Sequence, residues 1–142
     1  VGPKPLVLPT NGMDDLVDEA DKSGHRFVAR FFRNWLGDGD RFDGPDEQIV
    51  GIWADEKLVG FAGLHADPYL NDPAVCRLRH LYVASAFRDQ GIGVLLVRHL
   101  LENARSFERV RLRAGTQEAV DFYDHIGWQK TDEKDATHQW IF

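Results

Sequence analysis

Residues 80–96 read HLYVASAFRDQGIGVLL. The apolar run Leu81-Tyr82-Val83 ends in a polar segment. That segment carries Arg88, Asp89, Gln90, Gly91, Ile92 and Gly93, and it opens into an apolar helical pattern at Val94. Backbone N–H groups in the first turn of a helix have no intrahelical partner, and the helix dipole puts partial positive charge at the same end. Gly91 and Gly93 place no side chain between those amides and an approaching anion. A strand, a glycine-bearing turn and a helix start, in this order, predict a phosphate cradle.

The elements on either side follow from pattern. Residues 74–83 read as the strand leading into the cradle. Residues 91–105 read as a helix with Ile92, Leu95, Leu96, Leu100 and Ala104 on one broad stripe. Upstream, the β-rich runs 48–54 and 58–66 are joined by Asp55-Glu56-Lys57, a hairpin signature. The segment 67–73, DPYLNDP, is a Pro-bracketed loop. A short strand at 6–8 precedes an acidic helix at 14–22, which Ser23-Gly24 stops. From Arg26 onward, Phe27, Val28, Phe31, Phe32, Trp35 and Leu36 recur at helical spacing. This helix should face the core and could also wall an acceptor pocket. The loop GDGDRFDGPD at 37–46 invites a calcium reading, but the twelfth position counted from Asp38 is Ile49 rather than a bidentate Glu. A solvated loop is expected there.

Downstream, residues 109–114 read as a strand with Val110 and Leu112 on one face. Thr116 is the expected N-cap of a helix over 117–126, and Gly127 its C-cap. Two closing strands are expected at 128–131 and 138–142. The order helix–helix–hairpin–strand–helix–strand–helix–strand–strand predicts one α/β domain over residues 1–142. Its sheet should be mixed and mostly antiparallel, with a parallel β–α–β core.

Composition narrows the function. The chain has 142 residues and a formal net charge of −6, which argues against a nucleic-acid binder with its usual basic stripe. No apolar run approaches the ~18 residues of a membrane span, and the first residues lack the long apolar core of a signal peptide. Cys76 is the one cysteine, which fits a cytoplasmic protein without disulfides. It reads as a small buried strand residue, with a catalytic thiol as the sharper alternative. The six histidines show no H-x-x-x-H spacing and there is no C-x-x-C, so no metal is expected. The chain also has no G-x-x-x-x-G-K-[ST] signature for a nucleotide.

A second segment, residues 119–128, reads AVDFYDHIGW. Taken with LYVASAFRDQGIG at 81–93, it resembles the GNAT superfamily of N-acetyltransferases. Arg88-x-x-Gly91-x-Gly93 matches that family's acetyl-CoA signature. Phe122, Tyr123, Gly127 and Trp128 fall in register with its Ala-x-x-Phe-Tyr-x-x-x-Gly-aromatic segment. Either motif alone is weak; the pair, about 30 residues apart and in the right order, is specific.

The resemblance implies a GNAT-like fold and acetyl-CoA as cosubstrate. The amides of Arg88, Asp89, Gln90, Gly91, Ile92, Gly93 and Val94 would hold the pyrophosphate. The backbone of Leu81 and Val83 would pair with the pantetheine arm, in a gap between this strand and the 109–114 strand. An amide at Tyr82 or Val83 would polarise the thioester carbonyl. Tyr123 would be the general acid for the departing thiolate. Thr116 stands where the family often has Asn, a cap that also contacts the cofactor.

The general base is the main departure. The position where some members carry Glu is Arg77 here, and Arg79 follows; a guanidinium cannot act as a base. His65, His80 and Asp67 are the nearby alternatives, beside a mechanism with no dedicated base. Simple alternation sends His80 to the sheet face opposite Arg79. Arg77, Arg79 and Tyr69 would lie near the acceptor. The implied activity is acetyl transfer to a primary amine of a small molecule or amino acid through a ternary complex. A non-catalytic acyl-CoA sensor, or a protein Lys or N-terminal acetyltransferase, is the alternative. The aromatic second helix and a C-terminal strand edge leave room for a homodimer.

Overall fold

The computed structural model describes residues 2–37 and 47–142. In chain order these form β1 (Lys4–Pro5), α1 (Met13–Lys22), α2 (Phe27–Leu36), β2 (Gln48–Ala54), β3 (Lys57–Ala66) and β4 (Val75–Val83). There follow α3 (Ile92–Glu102), β5 (Arg109–Leu112), α4 (Gln117–His125), β6 (Gln129–Lys130) and β7 (His138–Ile141). The Asp-rich 38–46 segment, and with it the calcium question, lies outside the described residues. The strands make one sheet in the order β1-β2-β3-β4-β5-β7-β6. Only β4 and β5 run parallel. This is the mixed, mostly antiparallel α/β sheet expected from the sequence.

Alternating side chains divide the core between the two faces of the sheet. Val50, Ile52, Ala62, Leu64, Cys76, Leu78, Val110 and Leu112 pack under α3 and α4. Ile49, Leu58, Phe61 and Tyr82 pack under α1 and α2. Val28, Phe31, Phe32 and Trp35 of α2 are all buried in that second cluster, so the aromatic helix is core-facing as expected. The two features that left room for a homodimer are taken up in part within the chain, with β6 pairing β7 at His138 and Gln139. The aromatic face is buried, and β7 is an interior strand between β5 and β6.

Several boundaries shift. The β2–β3 turn is two residues long: Asp55 and Glu56 have φ of 50° and 67°, and Lys57 already pairs with Ala54. Positive φ at both central positions suits the right-handed twist of a hairpin. The first strand sits at Lys4–Pro5 instead of 6–8; beyond it the Leu6 N–H still reaches the Ile49 carbonyl of β2 at 3.0 Å, and Leu6 and Leu8 are buried in the second core cluster. The helix expected to reach 126 stops at His125. There Gly127 at φ 97° directs its own N–H to the Asp124 carbonyl, and the Trp128 N–H to that of Tyr123.

Two irregularities in β4 shape the site. Gly63 pairs with Arg79 but Phe61 pairs with Tyr82, so Ala62 faces both His80 and Leu81. This is a β-bulge, and His80 takes a φ of 65° within it. The second irregularity is an early parting from β5. The parallel ladder covers only Val75–Arg109, Cys76–Val110 and Arg77–Arg111, while β4 continues to Val83. From Leu78 onward, β4 has a described strand neighbour only on its β3 side.

Candidate active site

Beyond β4, the Ala84 N–H is bound to the Val59 carbonyl at 2.7 Å, and a 3-10 turn covers Ser85–Phe87. Asp89 and Gly91 then take left-handed φ values of 61° and 82° before α3 begins. The Leu95 N–H donates to the Gly91 carbonyl at 3.0 Å. The amides of Ile92, Gly93 and Val94 therefore precede the first intrahelical bond. A Cβ added to Gly91 would meet nothing within 4 Å, so the space beside this helix start is open and the backbone conformation is what calls for glycine. Gly93 has a different reason. A Cβ there would lie 3.3 Å from the Phe122 ring, so Gly93 lets α3 approach α4 rather than clearing space for an anion.

The cradle is braced by side chains. The Arg88 Nε donates to the Val83 carbonyl at 2.9 Å, and its guanidinium lies 5.4 Å from the Tyr82 ring centre. Gln90 Nε2 reaches the Ala86 carbonyl at 3.3 Å, while Asp89 is exposed. Glu19 of α1, which the sequence reading missed, accepts hydrogen bonds from the Tyr82 hydroxyl, the Ser85 N–H at 3.1 Å and the Ser85 hydroxyl at 2.8 Å. Burial works against its charge, yet these donors and the Arg88 cation hold its carboxyl below the usual range. Burial and the Glu19 carboxylate push the Tyr82 phenol up, so Tyr82 remains the donor. Glu19 thus ties α1 to the end of β4. No local pattern marks it, because its partners lie more than 60 residues along the chain.

Leu81, Val83, Ile92, Phe122 and Ala114 are partly buried apolar residues against the first core cluster. Thr116 caps α4, its Oγ1 accepting from the Ala119 N–H at 3.1 Å. One turn further, Tyr123 is 5% exposed and packs edge-on against Phe122 and Trp128, with ring centres 5.1 and 5.5 Å away. Burial pushes its phenol above the ordinary range, so it stays protonated. Its hydroxyl makes no hydrogen bond among the described residues. The neighbouring His138 is fixed from both sides. Nε2 meets Asp124 at 2.9 Å and Nδ1 meets Thr137 Oγ1 at 2.8 Å.

On the α1/α2 face the candidate bases are committed elsewhere. Asp67 lies 2.8 Å from Arg111 Nε and 3.5 Å from Arg77 Nη1, and accepts the Tyr69 N–H at 2.9 Å. Burial alone would raise its pKa. The Arg111 hydrogen bond, the Tyr69 amide and the two guanidinium charges outweigh burial and hold the carboxyl below the usual range. It is an ion-pair partner and a poor proton acceptor. His65 is buried and stands opposite Arg77 in register. His80 stacks on Phe31 at 4.5 Å between ring centres. It lies on the same face as Arg79, where alternation predicted the opposite one, because the bulge sends two consecutive side chains to one side. Cys76 is fully buried, with its thiol pushed up to about 12 by burial and the Asp67 charge, which removes the thiol reading.

The Asp67 pairing has a testable consequence. Asp67→Asn should cost about 3–5 kcal/mol at pH 7 by removing the carboxylate that Arg77 and Arg111 share and leaving Arg111 only the more distant Glu133, read from the urea midpoint. A carboxyl with a depressed folded pKa stabilises above its unfolded value of about 3.9 and loses that contribution as the pH falls through the folded value. The gap between wild type and variant should narrow in acid. A gap independent of pH would trace the loss to shape instead of charge.

Among the described residues no group of three or more His, Cys, Asp or Glu is placed to hold a metal ion. No described helix is long and apolar enough to cross a membrane. The model of the acetyltransferase (GNAT) family matches residues 13–128. The chain belongs to the GNAT family. Human N-acetyltransferase 8 is 37% identical over 86 residues, covering 56% of this chain and 37% of that protein. This GNAT chain therefore spans little more than a third of the human relative. A candidate acetyltransferase from Exiguobacterium sp. 255-15 superposes with a TM-score of 0.85 at 20% identity, over 98% of this chain and 91% of that one. The PaiA N-acetyltransferase of Thermoplasma acidophilum, solved in complex with coenzyme A, gives a TM-score of 0.63 at 15% identity, over 99% and 98% of the two chains. These likenesses establish a shared GNAT fold.

Proposed function

We propose that this chain is an acetyl-CoA-dependent N-acetyltransferase that acts on the primary amine of a small molecule or amino acid. The observation that carries the reading is the parting of β4 from β5 beside an open helix start, with a buried, protonated phenol on the adjacent α4. The PaiA protein solved with coenzyme A shares this fold, which supports the choice of donor.

When bound, acetyl-CoA supplies an activated acyl carbon and a thiolate leaving group. The chain's residues do the rest. The amides around Ile92–Val94 receive the diphosphate without side-chain obstruction. The unpaired edge of Leu81–Val83 offers backbone groups to the pantetheine amides. Of the two β4 amides expected for the developing oxyanion, that of Val83 faces the open edge, because the Ala84 N–H and by alternation the Tyr82 N–H turn to β3. As the amine nitrogen bonds to the acyl carbon and the C–S bond breaks, Tyr123 gives its proton to sulfur and water takes the amine's proton. Asp67 is paired with arginines and His80 is stacked on α2, so an amine that arrives neutral suits this site best.

The lack of a free carboxylate at Arg77 favours one competing reading, a sensor that binds acyl-CoA without turnover. Thiol release from acetyl-CoA, measured across a panel of amines with product mass, separates the two. Release with formation of an acetylated amine is the expected result. Saturable CoA binding with no release for any amine would leave the sensor.

A further inference from the structure

We infer that Arg79 and the Tyr69 hydroxyl form an anion-reading subsite, and that the acceptor amine carries a carboxylate on the same small molecule. This rests on the acetyltransferase reading above and names its substrate class. Four arginines, Arg77, Arg79, Arg109 and Arg111, project from one face of β4 and β5. Three of them have a carboxylate partner within the fold. Arg77 and Arg111 share Asp67. Arg109 pairs with Glu133, which also lies 3.7 Å from Arg111. The carbonyls of Asp135 and Lys134 accept from Arg77 at 2.7 Å and Arg111 at 3.2 Å. Arg79 alone has no carboxylate partner among the described residues. It donates to the Tyr69 hydroxyl at 3.1 Å and lies 5.5 Å from that ring's centre.

Its place in the fold points it at an acceptor. Arg79 is the last residue before the bulge and pairs with Gly63 across the ladder, so its partner on β3 presents no side chain to it. It is half-buried, and Tyr69 is 51% exposed. Only the bulged His80 stands between it and Leu81 at the parted edge where the thioester would lie, a reach of at most about 7 Å. That span suits a compact acceptor whose amine meets the acyl carbon while its carboxylate meets the guanidinium. The Tyr69 ring also sits 4.7 Å from the Arg77 guanidinium, so it is held between two cations and presents its hydroxyl beside Arg79. A guanidinium and a phenol together make a directional carboxylate receptor. The same cluster repels a polycationic acceptor locally, whatever the net charge of −6 suggests for the chain as a whole.

The test uses matched acceptors: amino acids, their carboxamides, their decarboxylated amines, and a polyamine, with thiol release as the rate and calorimetry for acetyl-CoA binding. The amino acids should exceed their amides in kcat/KM by roughly 10- to 100-fold, the worth of a charge-assisted hydrogen bond. Arg79→Gln should erase the preference through KM, leaving kcat and acetyl-CoA affinity unchanged. Arg79→Lys should restore part of it, and Tyr69→Phe should show a smaller loss of the same sign. Turnover of amides or polyamines at the amino-acid rate, or a preference that survives Arg79→Gln, overturns the subsite while the acetyltransferase reading stands. Absence of release with every amine overturns both.

Discussion

Tyr123→Phe should lower kcat by about 10²- to 10⁴-fold, the usual worth of a positioned general acid, while the affinity for acetyl-CoA stays close to wild type. The substitution removes one oxygen and keeps the ring. That ring fills the space between Phe122, Trp128 and His138, so the core beneath α4 should hold its shape. The oxygen itself has no hydrogen-bond partner among the described residues, so little stability is lost with it. This isolates chemistry from packing, which Tyr123→Ala would not, because a buried aromatic cut to Ala leaves a cavity that costs several kcal/mol. The pH profile adds a second check. Burial raises the Tyr123 phenol above its ordinary value near 10, so the acid is loaded throughout the neutral range. The wild-type rate should then show no alkaline fall from this group below about pH 10. The assay is steady-state thiol release with the best amine found. A variant rate equal to wild type would remove Tyr123 from the mechanism, and the thiolate would then be protonated by solvent.

What could be read from the chain alone was what is local in sequence. The strand into the cradle, the Thr116 cap and the Gly127 stop each rest on residues within a few positions of one another. All three stand where expected, with only the ends of elements moved. The parts that were not legible depend on pairing across the sheet. His80 is neither Gly nor Asn, the strongest markers of a left-handed residue, and histidine alone is a weak one. Simple alternation therefore carried straight through the bulge and put His80 on the wrong face. Asp67 looked like a free carboxylate beside the acceptor because Arg111, which neutralises it, comes 44 residues later. Glu19 was one acid among several on an acidic helix until Tyr82 and Ser85 selected it. The arginines at 77 and 79 looked equivalent in the strand. The fold buries the first among counter-ions and leaves the second facing Tyr69. The misreadings of Asp67, Glu19 and the two arginines each concern a charged side chain whose partner is distant, and no periodicity in the sequence encodes such a partner.

Gly91→Glu should abolish measurable CoA binding. The space beside Gly91 is open, with nothing within 4 Å of a Cβ placed there, so the new side chain meets no steric block and the chain should still fold. The backbone at φ 82° disfavours any L-residue and adds a cost of about 1–2 kcal/mol. That cost must be separated from charge. Gly91→Ala carries the same conformational strain without the carboxylate, so it should bind CoA only modestly more weakly than wild type. The difference between the two variants reports the repulsion between the new carboxylate and the diphosphate at the start of α3. S-acetylpantetheine, which lacks the diphosphate, supplies the other control: its weak binding should be alike in Gly91→Glu and Gly91→Ala. Gly93 would not serve this purpose, because a Cβ there presses on Phe122 and any loss would mix helix packing with ligand contact. Calorimetry with CoA reads all three proteins directly. Equal losses in both Gly91 variants would make the effect conformational. Wild-type affinity in Gly91→Glu would move the diphosphate away from residues 88–94 altogether, and the open helix start would then need another occupant.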